Sequence, residues 1–225
     1  MSRLRVSFYW LVKTIAWPVT HAYVRLRTMG ADNVPARGPC LIVANHTSYA
    51  DAIVLGSACP RRITFLITRP IYSLWRLRWF YYMMGSISVA PDTPDPGALK
   101  RALKTLHHGD VVGIFPEGQR MRDGNLGEGK AGAALIAARS GVPVVPVAIV
   151  GAHRVMPVGA TLPRPSRVTV VFGTALHFPA VDGRRPTRAQ LDAFADRIMK
   201  AIRDLLADGA PHAARADGGL TSTSS

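Results

Sequence analysis

Between residues 39 and 173 the chain alternates short apolar runs with stretches of helical periodicity. The runs are Leu41–Ala44, Ile63–Thr68, Ile87–Ala90, Val111–Phe115, Val144–Val150 and Val168–Phe172, and each gives way to polar, Gly or Pro residues. Continuous Val/Ile/Leu runs, as opposed to alternating ones, suit strands covered on both faces. Helical stretches fall near residues 51–59, 71–83, 97–107 and 130–140. The pattern predicts an α/β fold: a largely parallel central sheet with helices on both faces. Further on, Thr187-Arg-Ala-Gln190 reads as a capping box. Leu191, Phe194, Ile198, Ile202 and Leu205 then line one face of a helix. From Gly209 the chain is small and polar, which predicts a disordered tail over 209–225 and one domain over 30–208.

Two segments break this texture. Val6 to Val24 is long enough to approach a membrane span, but Lys13 lies near its middle and Pro18 interrupts its helix. Ser7, Thr14 and His21 recur every seven residues and form a narrow polar stripe. The segment reads as an amphipathic helix, or a broken pair, lying in a membrane interface over residues 1–29. A helix packed on its own domain is the plainer alternative. Lys13 and the lack of a small-residue cleavage site argue against a secretory leader. The second segment, Ile71 to Met84, places two Trp, three Tyr, one Phe and two Arg in one short stretch. Interfacial helices carry such rings at headgroup depth, and so do core helices with one wet face.

Charge sharpens this picture. The net charge is +14 with a pI near 10.8, which favours anionic partners. Residues 1–30 and 52–91 each hold five Lys or Arg and no acid, in both cases among apolar and aromatic side chains. A nucleic-acid arm is usually basic and polar, so the mixture points to an anionic membrane surface, and no nucleic acid is expected as a partner. Cys40 and Cys59, the only cysteines, make neither a disulfide framework nor a zinc site, and no metal cluster is visible.

Candidate chemistry sits where two apolar runs end. Leu41–Ala44 runs into Asn45-His46, with Asp51 five residues beyond the histidine. On one continuous helix those two would diverge by about 140°. They meet only if His46 occupies the turn after the strand and Asp51 the first turn of the next helix. Ser48-Tyr-Ala-Asp51 matches such a helix start, with Ser48 as N-cap. Two readings therefore stand: a base oriented by an acid, or a capped helix beside an incidental loop histidine. Val111–Phe115 likewise runs into Pro116-Glu117-Gly118-Gln119-Arg120. Gly118 permits a tight turn, and Arg120 suits phosphate. Open α/β sheets bind ligands at the carboxyl ends of their strands, where both clusters would converge.

These blocks resemble those of the glycerolipid acyltransferases, best known from the bacterial 1-acylglycerol-3-phosphate (lysophosphatidate) acyltransferases. Asn45-His46-Thr47-Ser48-Tyr49-Ala50-Asp51 is similar to the family's Asn-His-x-Ser-x-x-Asp signature. Phe115–Arg120 is similar to its third block, and Gly141 to Ile149, which includes Pro146, to its fourth. Gly129-Lys130-Ala131-Gly132-Ala133 resembles the spacer before the fourth block. The resemblance implies transfer of a fatty acyl group from acyl-CoA or acyl carrier protein to the hydroxyl of lysophosphatidate, giving phosphatidate. No bound cofactor is implied. His46 would be the general base and Asp51 its orienting acid. Glu117, Gly118, Gln119, Arg120 and Lys130 would bind substrate, supported by Asn45, Ser48, Pro116 and Pro146. The partners implied are membrane lipids, the lyso-lipid and the acyl donor, at the cytoplasmic face of the cell membrane, peripheral or monotopic. One block departs: Pro91 stands where the second block ends in an arginine associated with the acceptor's phosphate. That favours, as an alternative, another lyso-lipid or alcohol acceptor in the same family. A non-enzymatic protein binding anionic lipid or nucleic acid explains the charge but leaves the paired blocks unexplained.

Overall fold

Cys40 to Ala44 are fully buried at all five positions, and their side chains alternate between two separate apolar clusters. Only a strand in the middle of a sheet covered on both faces has this property. The computed structural model describes residues 3–91, 93–118, 126–156, 163–180 and 185–214, with backbone alone for the last five. In chain order the elements are α1 (Arg3–Pro18), continued by a π-helical turn (Val19–Tyr23), β1 (Arg27–Met29), a 3-10 turn (Ala31–Asn33) and β2 (Cys40–Ala44). Next come α2 (Asp51–Ala58), β3 (Ile63–Thr68), α3 (Arg69–Tyr72), α4 (Arg78–Met84), β4 (Ile87–Val89), α5 (Pro96–His107) and β5 (Val111–Ile114). Last are α6 (Gly132–Ser140), β6 (Val144–Val150), α7 (Ala152–Val155), β7 (Thr169–Phe172) and α8 (Arg188–Ala214).

The seven strands lie in the order β1-β7-β6-β2-β5-β3-β4. Every neighbouring pair is parallel except β6–β7. One face is covered around α2, with Val54 and Leu55 against Ile42 and Phe172. The other is covered by α5, α6 and α8, whose Ala102, Ala134 and Ile198 meet Leu41, Val43 and Val144. The expected class, a largely parallel sheet between helices, is what the chain adopts.

Three boundaries differ from the sequence reading. Residues 27–29 were expected inside an amphipathic segment, but they form edge strand β1 on β7. Ile71–Met84 forms two short helices instead of one, separated by a turn at residues 73–77. The tail expected from 209 is helical to Ala214, with Gly209 close against Val150 and Val171 of the sheet; residues beyond 214 lie outside those described. The Thr187 capping box forms as expected: the Thr187 N–H donates to Gln190 Oε1 at 2.8 Å, and the Gln190 N–H donates back to Thr187 Oγ1 at 3.2 Å.

Helix α1 is tied to the domain. Tyr9 is 2% exposed, and its hydroxyl accepts from the Ile63 N–H at 3.2 Å. Burial pushes its pKa to about 12. Lys13, mid-helix, donates to the carbonyl of Cys59 at the C-terminal end of α2. On its outer side α1 exposes Leu4, Leu11, Ile15 and Trp17, while α4 and the turn before it expose Trp75 and Trp79. Phe8 packs edge-on against both Trp79 and Phe80, so the two aromatic segments make one continuous surface. Among the described residues no helix is long and apolar enough to cross a membrane.

Candidate active site

β2 and β5 are parallel neighbours in register Val43 to Ile114, so the residues after each emerge side by side at the carboxyl edge of the sheet. Asn45, the first residue past β2, turns into the sheet. Its Nδ2 donates to the Ile149 carbonyl at 3.0 Å, and its Oδ1 accepts from the Ile149 N–H at 2.7 Å. A side chain thereby extends the β2–β6 ladder by one rung and fixes where the chain leaves it.

His46 leaves the sheet at that point. Its Nδ1 lies 2.9 Å from Oδ2 of Asp51, the first residue of α2 and fully buried. The same oxygen accepts from the N–H groups of Thr47 at 2.6 Å and Ser48 at 2.8 Å. An ionised carboxylate only accepts, so the imidazole's hydrogen sits on Nδ1 and Nε2 keeps its lone pair. The layout anticipated from the sequence, histidine on the turn and acid on the first helical turn, is the one observed. The expected N-cap is corrected: that position is Ala50, without a side-chain cap. Ser48 Oγ accepts instead from the Ala50 N–H at 3.2 Å and reaches the Met156 carbonyl at 3.4 Å. The hydroxyl is used up inside the loop, and only the acid half of the box, Asp51 to the Ser48 N–H, survives.

Rings hold the imidazole from the other side. Phe115, at the end of β5, stacks on His46 with centroids 4.3 Å apart and planes 19° apart. Phe65 of β3 lies parallel to Phe115 at 6.0 Å. Gly113 lets these strands approach, since a Cβ there would sit 2.6 Å from Ile63 and 2.9 Å from Phe65. Neither ring's role was legible in the sequence; the one available signal was an aromatic residue at the ligand-binding end of an apolar run.

Beyond Phe115 the chain turns tightly, with the Gly118 N–H donating to the Phe115 carbonyl at 3.2 Å and Gly118 at φ +70°. Glu117 is thereby driven inward to 4% exposure. Burial raises its pKa to about 7; nearby Asp51 adds to the rise, and the backbone N–H groups of His46 and Gly127 oppose it. Those amides face the carboxylate without completing hydrogen bonds of normal geometry among the described residues. Pro116, also buried, accepts from the Lys130 N–H at 2.9 Å. The Lys130 side chain lies over Gly118, so close that a Cβ there would be 3.0 Å from Nζ. Pro146 pairs with Val43 in the sheet and accepts from the Gly173 N–H at 2.8 Å; its place is in the scaffold. Gln119 and Arg120 lie outside the described residues.

The sequence reading missed His153. It stands on α7, past the carboxyl end of β6, near enough for the Asp51 charge to act on it, although burial and Arg154 together lower its pKa. Among the described residues no group of three or more His, Cys, Asp or Glu is arranged to hold a metal ion.

An apolar groove lies between α1, α2 and α4. Tyr49 and Phe65 bring it to the His46 end, and Val12, Ile53, Phe80 and Met84 help to wall it. An imidazole whose Nδ1 faces a buried carboxylate, with an apolar groove nearby, is equipped to take a proton from a hydroxyl on an amphiphile.

Fold and site together define an α/β domain with a His–Asp pair at the carboxyl edge of its sheet. The family model described as Acyltransferase matches residues 25–150, more than half of the chain, which belongs to that family. Among its relatives, the chain is 34% identical over 163 residues to a chloroplastic 1-acyl-sn-glycerol-3-phosphate acyltransferase of Brassica napus, covering 70% of this chain and 47% of the relative. The chain thus spans about half the length of that plant protein. It is 27% identical to the 1-acyl-sn-glycerol-3-phosphate acyltransferase of Bacillus subtilis, covering 80% of this chain and 87% of the relative. The crystal structure of the 1-acyl-sn-glycerophosphate (LPA) acyltransferase PlsC from Thermotoga maritima shares the fold, with a TM-score of 0.69 at 21% identity over 89% of this chain and 80% of that one.

Proposed function

We propose that the protein transfers a fatty acyl group from a thioester donor, acyl-CoA or acyl carrier protein, to the free hydroxyl of lysophosphatidate, forming phosphatidate. The observation that carries this reading is the His46–Asp51 pair, 2.9 Å apart, with an apolar groove nearby that is lined by Tyr49 of the same loop and by Phe65, whose ring lies parallel to the Phe115 stacked on His46. Nε2 of His46 takes the proton of the acceptor hydroxyl as its oxygen attacks the thioester carbonyl. The tetrahedral intermediate collapses, the C–S bond breaks, and the proton passes from the imidazolium to the departing thiolate. Asp51 stabilises the imidazolium in between, as the acid does in a triad whose serine is here replaced by the substrate's alcohol. The groove receives acyl chain. Glu117, Gly118, Gln119, Arg120 and Lys130 hold the acceptor headgroup, with Arg120 suited to its phosphate.

The outer surface of α1 and α4 docks on the cytoplasmic face of an anionic membrane as a peripheral or monotopic contact. Exposed Trp17, Trp75 and Trp79 lie beside basic residues in a chain of net charge +14, which supports this. Helix α1 and its π-helical continuation to Tyr23 then serve membrane association, and the domain from β1 to α8 serves catalysis. Pro91, exposed after β4, favours a second reading: an acceptor with another headgroup. Purified protein given labelled acyl-CoA and a panel of lyso-lipids tests both. Transfer to lysophosphatidate is expected; transfer confined to another acceptor establishes the second reading.

A further inference from the structure

Residues 1–30 and 129–181 contain no acid, and the sheet brings basic residues of both stretches to one place. β7 runs antiparallel to β6 and parallel to β1, with Val150 opposite Thr169 and Thr169 opposite Arg27. The start of β1, the chain entering β7 and α7 after β6 therefore share the carboxyl edge of β2 and β6. They lie on the far side of His46 from β5 and the Lys130 loop. Arg154 on α7 and Arg164 on the returning chain are both exposed, and the Arg164 N–H donates to the Val155 carbonyl at 2.7 Å. α7 abuts the His46 loop, since the Ser48 hydroxyl reaches the Met156 carbonyl at 3.4 Å. Arg27 is exposed at the first position of β1, and exposed Arg25 precedes it at φ +46°. That is a left-handed conformation costly for any residue but glycine, and the N–H groups of Leu26 and Arg27 hold it by donating to the Thr20 and Val168 carbonyls.

Scale identifies the ligand. Neighbouring strands lie about 4.8 Å apart, so this cluster runs from about 5 Å, at β6, to about 14 Å, at β1, from the line of β2. In lysophosphatidate the hydroxyl and the phosphate sit on adjacent carbons, so its phosphate stays beside His46. In a CoA thioester the pantetheine arm separates the sulfur from the phosphates by a length comparable to four extended residues, about 14 Å. We propose that Arg154 and Arg164, with Arg27 and Arg25 at the outer end, bind the phosphates of an acyl-CoA donor whose pantetheine arm crosses β6 from the thioester at His46. The acyl chain leaves on the other side, toward Phe65 and the groove. Each guanidinium can grip a phosphate through two N–H groups. This selects acyl-CoA from the two donors named above, and it rests on the acyltransferase reading.

The test uses the full chain with lysophosphatidate and two donors, hexadecanoyl-CoA and hexadecanoyl-pantetheine, which share the thioester and differ by the nucleotide. In the wild type the KM for the CoA thioester is expected at least about tenfold below that for the pantetheine thioester, the scale of one charge-assisted hydrogen bond. Arg154→Gln combined with Arg164→Gln is expected to remove most of that advantage through the CoA thioester alone, with the KM for lysophosphatidate unchanged. Adenosine bisphosphate, the nucleotide end of CoA, is expected to compete with the CoA thioester in the wild type, a measurement that decides the matter if the double variant fails to fold. Equal KM values for the two donors, an advantage that survives the double substitution, or no competition by the nucleotide overturns the inference. A rise in the lysophosphatidate KM alone also overturns it, giving the cluster to the acceptor, as does a loss confined to sedimentation with anionic vesicles, giving it to bilayer phosphate. Transfer from acyl carrier protein only overturns it and leaves the acyltransferase reading standing. If the wild type transfers from no donor, both fall.

Discussion

The imidazole of His46 lies against the ring of Phe115, 4.3 Å between centroids, so a residue at the end of β5 sets the orientation of the base carried by β2. Together with the hydrogen bond to Asp51 this clamps the ring at one edge and one face, leaving Nε2 as its working atom. Phe115→Ala removes the face contact and keeps the dyad. Stacking of this kind is worth about 0.5–1.5 kcal/mol, so a fall in kcat of about two- to tenfold is expected with little change in acceptor KM. Steady-state kinetics with varied acceptor separates the two, and a rise in KM at unchanged kcat would move Phe115 from positioning to binding.

Asn45 is a structural pin. Asn45→Ala leaves the N–H and C=O of Ile149 without their partners in a buried setting, a cost of about 2 kcal/mol or more. Urea denaturation is expected to show that loss. Stability within a few tenths of the wild type would mean that the β2–β6 ladder holds the site without it.

Glu117 makes stability depend on pH. Folded, it holds its proton to about pH 7, above the ordinary glutamate value. In that window the folded chain binds more protons than the unfolded one, so the contribution of this group is full at low pH and is lost as pH rises through about 7. Glu117→Gln removes the effect. Between about pH 4.5 and about pH 8 the variant is expected to lose less stability than the wild type, read from urea midpoints. Equal losses would show that the carboxylate is solvated as well as in the unfolded chain.

The aromatic surface makes a separate claim. Trp75 is 79% exposed and Leu11 56%. Replacing both by Ala is expected to weaken sedimentation with anionic vesicles severalfold and to leave the melting temperature almost unchanged, because neither side chain is buried in the domain. Binding that survives this change but vanishes in high salt would mean that charge alone holds the protein at the surface.

The strands were legible because the sheet is covered on both faces, so Leu41–Ala44 and Val144–Val150 are apolar without interruption. β1 was not: Arg27-Thr-Met is three residues on an edge, and its pairing with β7 depends on a partner about 140 positions away. The His46–Asp51 meeting was readable because a strand end followed by a helix start brings those two positions together. The burial of Glu117 and the ring on His46 were not, since both depend on how β5 and β3 pack beside β2. Lys13 misled in an instructive way. In the sequence it marks a helix unfit to cross a membrane; in the fold it ties α1 to the C-terminal end of α2.

The most direct test of the central claim compares His46→Ala and Asp51→Asn with the wild type in a transfer assay using acyl-CoA and lysophosphatidate. His46→Ala is expected to lower kcat by about a thousandfold or more, and Asp51→Asn, which unsettles the tautomer, by a comparable factor. Transfer undiminished in a folded His46→Ala protein would contradict the assignment of His46 as the base.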